Sequence, residues 1–467
     1  MKKRMKWVLL VLLVYILGAI IPFIKQADVS DEYKKSHDLE KFYSKDGSEL
    51  LASIISDNDQ ALAEKIRSID EADKKIILSS YRLRADNMGK VYLSSLVNAA
   101  KRGVDIKILL DGNSIVVSSQ SKKYLRLLDS FDNVDIRIYN PLSLIRPWTL
   151  MGRMHDKYMI VDDKITFLGG RNIEDRFLTT KGKFSYDWDI MIYGKKRCEN
   201  DAIDQLEEYF HAIFDDKNLA KNLDDTLLIS NNKNKEKLYK ELDQAYIDYV
   251  ASDDRYIKDK IEIGDMIATN KIQLITNPTG KYSKEPQAFY EISQLMLNSE
   301  KKVHIHTPYY IANKMMYNKT AQIASNASTT LFTNSADNNA NIIGAGDFLI
   351  NRRKLNDMGL EILLSTKNQS YHGKVFTIDD NISAIGSFNW DMRSAYIDTE
   401  LMMVVYGKEF YKEMEEAMAF YEDDAKKIGK NNQIANSSNK PALKANLFKK
   451  IISVIVVVLL FPFRFLF

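Results

Sequence analysis

Three features are scarce in this sequence of 467 residues, and each scarcity narrows the class of protein. A single cysteine, Cys198, excludes an internal disulfide framework and a cysteine-rich zinc site. Only 8 prolines, with a hydrophobic content of 45%, indicate a folded chain and not a disordered one. The formal net charge is only +3, so no general basic character favours nucleic acid as the partner.

The N-terminal segment is strongly apolar. From Trp7 to Ile24 no charged residue occurs, and these positions just suffice for a helix that crosses a bilayer. The run is longer than a usual signal-peptide core and no clear cleavage site follows it, so we expect a retained anchor in the cell membrane. Basic residues before the run favour a cytoplasmic N-terminus, which would place the catalytic body on the extracytoplasmic side.

The C-terminal segment is apolar too, but it is uncharged only from Ile451 to Phe463, which is short for a span. Three alternatives fit it: a short tail span, an interfacial helix, or a segment packed against the first helix. With these alternatives, the sequence does not decide on which side of the membrane the catalytic body lies.

The region between the two ends carries the same order of predicted elements twice. A helix followed by the strand KKIILSSY from Lys74 is matched by a helix followed by KKVHIHTPYY from Lys301. Alternating helices and strands predict an α/β fold with two pseudo-twofold-related lobes, each a mixed sheet flanked by helices. The expected division is a membrane anchor (1–26), a first lobe (27–214), a helical linker or insertion (215–270), a second lobe (271–425), a flexible linker (426–446) and a C-terminal hydrophobic segment (447–467).

Two of only six histidines begin an identical pattern, His-x-Lys-x4-Asp. The first copy reads MHDKYMIVDDKITFLGGRN and the second YHGKVFTIDDNISAIGSFN. In each copy the His is followed by Lys, Asp, Gly and Asn at the same offsets. We predict that the His, Lys and Asp of each copy are catalytic residues and that the Asn of each copy supports the phosphate. The matched residues are His155, Lys157, Asp162, Gly169 and Asn172 in the first copy and His372, Lys374, Asp379, Gly386 and Asn389 in the second.

The spacing of this pattern suits chemistry on a phosphodiester. His and Lys two positions apart on a strand share one face, and the Asp-Asp turns close hairpins that return Gly and Asn beside the His. Each copy then offers an imidazole, a cation and an amide. Displacement at phosphorus needs a nucleophile on one side and a proton donor on the other, which two facing copies supply without a metal or another cofactor.

The paired motifs, which continue into Gly-Gly-x-Asn and Gly-Ser-x-Asn, resemble the phospholipase D superfamily over about residues 50–410. The strings GGRNIEDRF and GSFNWDMRS, the latter followed by DTE, resemble bacterial cardiolipin synthases and related phosphatidyltransferases. This resemblance implies a phosphohistidine intermediate, with His155 as the nucleophile and His372 as the acid and then the base. It also adds Gly170 and Ser387 to the residues that support the phosphate.

The resemblance further implies an acidic residue after each motif that orients a catalytic His. Glu400 is the candidate after the second motif and Asp187 the candidate after the first. Asp189 is an alternative to Asp187, because residues 177–184 contain an insertion relative to the second copy.

The sequence therefore predicts a membrane-bound phosphatidyltransferase whose partners are phospholipid and the membrane, with no nucleic acid and an oligomeric state that the sequence does not give. The alternative is a phospholipase D-type hydrolase or nuclease at the same site, since water can also resolve a phosphohistidine. A non-catalytic scaffold is disfavoured because neither copy has lost its His or Lys. His304 and His306, two apart on a strand, could reach the site, but we interpret them as structural.

Overall fold

The structure is a computed structural model that describes residues 2–117, 119–195, 199–223, 235–252, 256, 260–429 and 447–467. Its α-helices are α1 (Lys2–Ile20), α2 (Asp31–Ser36), α3 (Asn58–Asp70), α4 (Asn87–Arg102), α5 (Gly112–Val117), α6 (Ser119–Leu128), α7 (Asp175–Leu178), α8 (Ala202–Phe214), α9 (Lys235–Ser252), α10 (Gln287–Leu297), α11 (Lys314–Asn326), α12 (Ile342–Asn356), α13 (Met392–Tyr396), α14 (Lys408–Glu422) and α15 (Leu447–Leu460).

The strands of the first half are β1 (Leu50–Ile55), β2 (Lys75–Ser80), β3 (Asp105–Asp111), β4 (Val134–Tyr139), β5 (Lys157–Val161), β6 (Ile165–Gly169), β7 (Ser185–Tyr186), β8 (Asp189–Gly194), β9 (Ala220–Asn222) and β10 (Ile267–Ala268). Those of the second half are β11 (Lys271–Thr276), β12 (Lys302–His306), β13 (Tyr310–Ile311), β14 (Ser328–Asn334), β15 (Glu361–Ser365), β16 (Ser370–Tyr371), β17 (Val375–Ile378), β18 (Ile382–Gly386), β19 (Trp390–Asp391), β20 (Leu401–Tyr406) and β21 (Lys426–Lys427).

Two large sheets repeat one another strand by strand. The first has the order β10-β1-β8-β6-β5-β2-β3-β4-β9, and the second has the order β11-β20-β18-β17-β12-β14-β15-β21. Apart from β10, each strand of the first sheet has a counterpart at the same place in the second. Parallel pairs (β2 with β3, β3 with β4) adjoin antiparallel ones in both sheets. The predicted α/β fold with two mixed-sheet lobes is confirmed.

Local sequence signals set the ends of the helices that flank these sheets. The Asp86 side chain accepts a hydrogen bond from the Gly89 N–H at the start of α4, and Gly103, at φ 92°, ends that helix. Between these ends, Leu93 and Leu96 are fully buried in the core of the first lobe. The amphipathic spacing of such helices is what covers each sheet.

A third apolar core lies between the two lobes. It joins Tyr158 and Trp188 of the first lobe to Val375, Met403 and Phe410 of the second. The two sheets therefore share a buried interface that includes the motif strands β5 and β17. Because packed interiors resist deformation, this interface fixes the position of one motif relative to the other.

The segment between the lobes differs in detail from the predicted helical linker. Helix α9 packs on α4 and buries Leu238, Leu242 and Tyr249, so it belongs to the surface of the first lobe. Strand β10 pairs with β1 at the edge of the first sheet. Residues 224–234, within the predicted linker, lie outside the described residues.

Two predicted boundaries move. Residues assigned to the start of the first lobe pack on the second: Phe42 is buried in the core of the second lobe, and Lys41 pairs with Glu291 at 2.7 Å.

The predicted flexible linker from residue 426 begins too early, because β21 pairs with β15 and Ile428 is buried. Backbone pairing at the sheet edge overrides the polar composition there. The remainder of that linker, 430–446, lies outside the described residues.

The two apolar ends differ. Within the described residues, Arg4–Phe23 is the segment long and apolar enough to cross a bilayer, with 11% of it buried. Helix α15 has 14 residues, about 21 Å, and packs against α12, where Gly346 lets the two backbones approach closely. Arg464 then pairs with Asp347 at 2.5 Å. The C-terminal segment thus docks on the second lobe, and its contact with the membrane stays a prediction.

Candidate active site

Both motif histidines line one cleft of about 480 Å³ between the lobes. A larger cleft of about 610 Å³, between α4 and α9, contains no residue of either motif. The cleft between the lobes is therefore the candidate active site. Its other lining residues are Tyr81, Arg82, Asn172, Glu174, Arg176, Phe177, Pro308, Tyr309, Asn339, Ala340, Asn341, Ile342, Ile343, Ser370 and Tyr371.

Each histidine is held by a carboxylate from the other lobe. The Nδ1 atom of His155 lies 3.0 Å from Glu400 Oε1, and the Nδ1 atom of His372 lies 2.5 Å from Asp187 Oδ2. With Nδ1–H donating to the carboxylate, Nε2 is the ring nitrogen left for chemistry. The alternative residue Asp189 instead pairs with Lys65 at 2.7 Å and is buried away from the histidines. The structure thus brings the predicted carboxylates to the histidines and leaves Asp189 out.

Backbone pairing across the lobes creates this exchange. The His155 N–H donates to the Thr399 carbonyl at 3.2 Å, next to Glu400, through a parallel bridge between Met154 and Thr399. In the same way the His372 N–H donates to the Tyr186 carbonyl at 2.7 Å, as β16 pairs in parallel with β7. In each of these two pairings, the residue that follows the paired position is the histidine on one chain segment and the acidic residue on the other.

The two predicted phosphate-supporting positions, Gly170 and Ser387, contact the carboxylates instead. The Ser387 hydroxyl donates to Glu400 Oε2 at 2.5 Å, and the Ser394 hydroxyl donates to its other oxygen. At Gly170 a Cβ atom would lie 2.2 Å from Asp187 Oδ1. Gly170 therefore leaves room for the Asp187 carboxylate, and Ser387 donates a hydrogen bond to the Glu400 carboxylate.

The two motif lysines are buried beside their histidines. Lys157 and Lys374 are 4% and 2% exposed, and each donates to the backbone carbonyl of the His two residues before it. Burial lowers the pKa of Lys157 to about 7 and that of Lys374 to about 8. An anionic phosphate between them would favour both ammonium forms, which suits the role of neutralising charge in a transition state.

The two motif asparagines are buried and carry unsatisfied atoms. Among the residues that the structure describes, the Oδ1 atoms of Asn172 and Asn389 have no hydrogen-bond partner. Buried amide groups are nearly always hydrogen-bonded in folded proteins, so such atoms point to a ligand or water. Asn172 lines the cleft, and Asn389 is not among the residues that line it.

The motif aspartates Asp162 and Asp379 do not reach the cleft, contrary to their predicted place among the catalytic residues. Each lies in the hairpin turn at the far end of the motif strand, at φ 52° and φ 54°. Asp162 accepts hydrogen bonds from the backbone N–H groups of residues 73–75, and Asp379 accepts them from those of residues 300–302. They position the loop that enters the neighbouring central strand, β2 or β12.

We therefore expect Asp379→Asn to lower stability and not to remove a reacting group. An amide presents its NH2 to backbone donors, so we expect the free energy of unfolding to fall by about 1–3 kcal/mol. Urea unfolding of the purified protein measures this. Asp380→Asn in the same turn is the matched control, since Asp380 makes an exposed ion pair with Lys301 at 3.1 Å and should change stability by about 0.5 kcal/mol or less. Equal effects of the two substitutions would contradict this role.

The two His–carboxylate pairs differ in their protons. Burial raises the pKa of Glu400 to about 8, while the pKa of His155 is lowered well below its ordinary value, chiefly by burial. Burial acts on Asp187 in the same direction as on Glu400, but Lys374 and His372 outweigh it and hold the Asp187 pKa at about 2. Burial thus favours the protonated form of Glu400, whereas Lys374 and His372 favour the ionised form of Asp187.

Several residues of the cleft were not identified from the sequence. The Tyr81 ring lies 5.2 Å from the His155 ring, and Phe177 lies 4.9 Å from His372. Tyr81 ends the string KKIILSSY, whose counterpart ends in Pro-Tyr-Tyr, and that repeat was the available signal. Arg82 and Arg176 bring positive charge to the cleft, and Glu174 partly neutralises Arg82 at 3.5 Å.

Two further arginines, one after each motif, have structural contacts. Arg171 is buried and donates to the Ile55 carbonyl at 2.9 Å and to the Asp187 carbonyl. Arg393 pairs with Asp398 at 2.7 Å. Both therefore hold the loops that carry the acidic residues.

Comparison with known proteins places this arrangement in a family. Residues 66–214 and 292–420 match the family described as "Cardiolipin synthase, PLD-like domain". The chain belongs to this phospholipase D-like family. It is an enzyme of the phospholipase D superfamily that transfers phosphodiester groups, and both matched segments contain one complete His-x-Lys-x4-Asp motif.

Individual relatives agree with this membership. The chain is 28% identical over 398 residues to cardiolipin synthase C of Escherichia coli, covering 74% of this chain and 79% of that protein. It is 28% identical over 401 residues to an uncharacterized protein of Helicobacter pylori, covering 77% of each. The crystal structure of phosphatidylserine synthase from Haemophilus influenzae matches with a TM-score of 0.64 at 14% identity, covering 89% of this chain and 95% of that one. That last likeness concerns the fold.

Proposed function

We propose that the protein is a membrane-bound phosphatidyltransferase of the cardiolipin synthase type that works through a phosphohistidine. In the first step an imidazole Nε2 attacks the phosphorus of a phospholipid while the other imidazole protonates the departing alcohol. In the second step that imidazole takes a proton from the hydroxyl of a second lipid, such as phosphatidylglycerol, and the hydroxyl oxygen attacks the phosphohistidine. The phosphodiester is restored and the enzyme returns to its starting protonation state.

The observation that carries this proposal is the crossed arrangement of two His–carboxylate pairs in one cleft. Two imidazoles with their Nδ1 atoms held by Glu400 and Asp187 present two Nε2 atoms to the same space. Two buried lysines beside them supply positive charge. A phosphoryl group placed between them has a nucleophile, a proton donor and charge stabilisation available from this chain alone.

A lipid substrate is favoured by the surface around the cleft. The first turn of α12, with Ile342 and Ile343, lines the cleft, and the outer face of the same helix exposes Ile350. Helix α15, which packs on α12, exposes Phe448, Leu459 and further apolar side chains. An apolar surface that continues from an active site suits a bilayer interface. Together with α1, this surface supports a cleft that opens toward the membrane.

The protonation of the two His–carboxylate pairs bears on which histidine attacks the phosphorus. An attacking imidazole needs a free Nε2 lone pair, and a proton donor needs a proton on Nε2. The family resemblance gives His155 as the nucleophile and His372 as the proton donor, whereas the raised pKa of Glu400 beside His155 favours the reverse order. Trapping the phosphohistidine and mapping it to the peptide with His155 or His372 decides between the two orders.

The direct test incubates the purified full-length protein with phosphatidylglycerol in mixed micelles. We expect cardiolipin and glycerol as products, because the departing alcohol of one phosphatidylglycerol is glycerol. Phosphatidic acid as the main product would show that the enzyme hydrolyses phospholipid and does not transfer the phosphatidyl group. No lipid conversion together with cleavage of single-stranded DNA would overturn the proposal. The matched control carries His211→Ala, a histidine on α8 that lies outside the cleft and pairs with Asp215.

A further inference from the structure

A second histidine cluster lies outside the catalytic cleft, on the helix-covered face of the second sheet. His304 and His306 stand on the same face of β12, and Glu415 and Glu422 reach them from α14. Neither histidine lines the cleft between the lobes. The sequence alone gave no metal cluster, because the two halves of this one are separated by more than 100 residues.

The ligand atoms of three of these residues converge. The Nε2 atoms of His304 and His306 both face Glu422 Oε1, the His306 contact measuring 2.6 Å. One nitrogen of each ring and one oxygen of the carboxylate lie within 4.8 Å of one another. Two imidazole nitrogens and a carboxylate oxygen form a ligand set that zinc prefers, with bond lengths of about 2.0–2.2 Å. Small rotations of the three side chains would bring the ligand atoms to those distances.

The opposite nitrogen of each ring is already held in the way that metal-binding histidines are. His304 Nδ1 lies 3.4 Å from Glu415 Oε1, and His306 Nδ1 lies 3.0 Å from the Tyr371 hydroxyl. Metal-ligating histidines usually direct their other ring nitrogen to a carboxylate or another polar group, which fixes the ring and its tautomer. Glu415 is itself held by Lys302 at 2.5 Å and by the Thr377 hydroxyl.

We propose that His304, His306 and Glu422 form a zinc site that ties β12 to the end of α14. Glu415 and Tyr371 are its outer partners, and a water molecule completes a tetrahedron. The side chains of His304 and Glu422 are 13% and 19% exposed, so the ion has a path from solvent. Tyr371 directly precedes the catalytic His372, so the site also steadies the strand that delivers this histidine.

The site is separate from the phosphoryl-transfer chemistry. No step of the proposed transfer passes through it, and the catalytic pairs contain neither of its histidines. Its role is to hold a helix to a strand, which a metal does by stabilising the folded state that binds it.

The test measures metal content and stability of the full-length protein. After treatment with a chelator, the protein is dialysed against Zn²⁺ or Mg²⁺ and the metal per chain is counted. We expect one tightly held Zn²⁺ per chain, no retained Mg²⁺, and a melting temperature raised by Zn²⁺. Substitution of the bound ion by Co²⁺ should give the visible absorption of a tetrahedral site. A wild-type protein that retains no Zn²⁺ would overturn the proposal. The cluster would then be held together by hydrogen bonds between the imidazoles and the carboxylates.

Variants assign the ion to these residues. We expect His306→Gln and Glu422→Gln to lose the ion, and Glu415→Gln to weaken binding about 10–100-fold as an outer partner does. His211→Gln is the matched control and should keep it. The His155→Ala, His372→Ala double variant should keep it as well, which separates this site from the catalytic histidines. Retention of Zn²⁺ by Glu422→Gln, or its loss from the catalytic double variant, would contradict the assignment. The Co²⁺ spectrum of the wild-type protein remains decisive if a variant does not fold.

Discussion

His155→Ala and His372→Ala should each reduce phosphatidyl transfer by at least about 10⁴-fold, and the double variant should be no worse than either single variant. In the proposed mechanism the two imidazoles act on one phosphorus atom in one step, one forming a bond and the other moving a proton. Removing either leaves the other without its partner reaction. Initial rates of cardiolipin formation from radiolabelled phosphatidylglycerol measure the effect.

The structure of these variants should remain intact. Both histidines line an open cleft and are only partly buried, with side-chain exposures of 13% for His155 and 21% for His372. Melting temperatures close to that of the wild-type protein would show this. The control His211→Ala removes an imidazole from the same lobe as His155 and should keep full activity. A single variant that retains more than about 1% of the wild-type rate would be incompatible with a shared site.

Glu400→Gln should lower kcat by about 10²–10⁴-fold with a much smaller change in KM. Ser387 and Ser394 donate to the two oxygens of Glu400, and His155 donates a third hydrogen bond. A glutamine has only one acceptor oxygen, so its NH2 group must face one of these donors. The imidazolium form of His155 also loses the negative charge that stabilises it. Steady-state kinetics of the purified variant test this.

The exposed residue Glu409, in the first turn of α14, offers the matched substitution Glu409→Gln. This change should leave kcat within about twofold, as surface substitutions usually do. Asp187→Asn should reproduce the Glu400→Gln defect, because Asp187 plays the same part for His372 at 2.5 Å. Wild-type kcat in Glu400→Gln would show that the cross-lobe carboxylate is only structural.

The same pair predicts the pH dependence of the wild-type enzyme. Burial raises the pKa of Glu400 to about 8 and lowers that of Lys374 to about 8. As the pH rises through this value, the His155–Glu400 pair loses its proton and Lys374 loses its charge. Lys157, whose pKa burial lowers to about 7, loses its charge first. We therefore expect kcat/KM to begin to fall above about pH 7 and to fall more steeply above about pH 8. A kcat/KM that stays constant up to pH 9.5 would contradict these pKa values for the site.

The repeat and the paired motifs could be recognised in the sequence because both are local patterns. In extended backbone an offset of two residues places His and Lys on the same side of the chain, and the structure has them at or just before the start of each motif strand. The order of helices and strands is likewise encoded in the periodicity of apolar residues, and its repetition indicated two lobes. The positions of Glu400 and Asp187 followed from the family resemblance, and the structure brings both to the histidines.

The pairing of lobes could not be predicted, because it depends on contacts between residues far apart in the chain. His155 and Glu400 are separated by 245 positions, and side-chain packing between the lobes together with the backbone bridge between Met154 and Thr399 sets one against the other. For the same reason the sequence could not show that Asp162 holds a loop at the far end of its hairpin. The sequence predicts that Asp162 lies in the turn of the hairpin, but not that its carboxylate meets the backbone of residues 73–75.

The sequence by itself determined the residues that each motif contributes to the site: an imidazole and an ammonium group at or just before the start of the motif strand, a glycine at the end of the returning strand, and an asparagine three residues after that glycine. Only the tertiary structure decided that the halves exchange carboxylates, through the parallel pairing of Met154 with Thr399 and of Tyr371 with Tyr186. It also decided that His304 and His306 meet Glu422. The physical reason is the same in both cases, since side-chain direction follows from local backbone geometry, whereas the partner it meets follows from how separate elements pack.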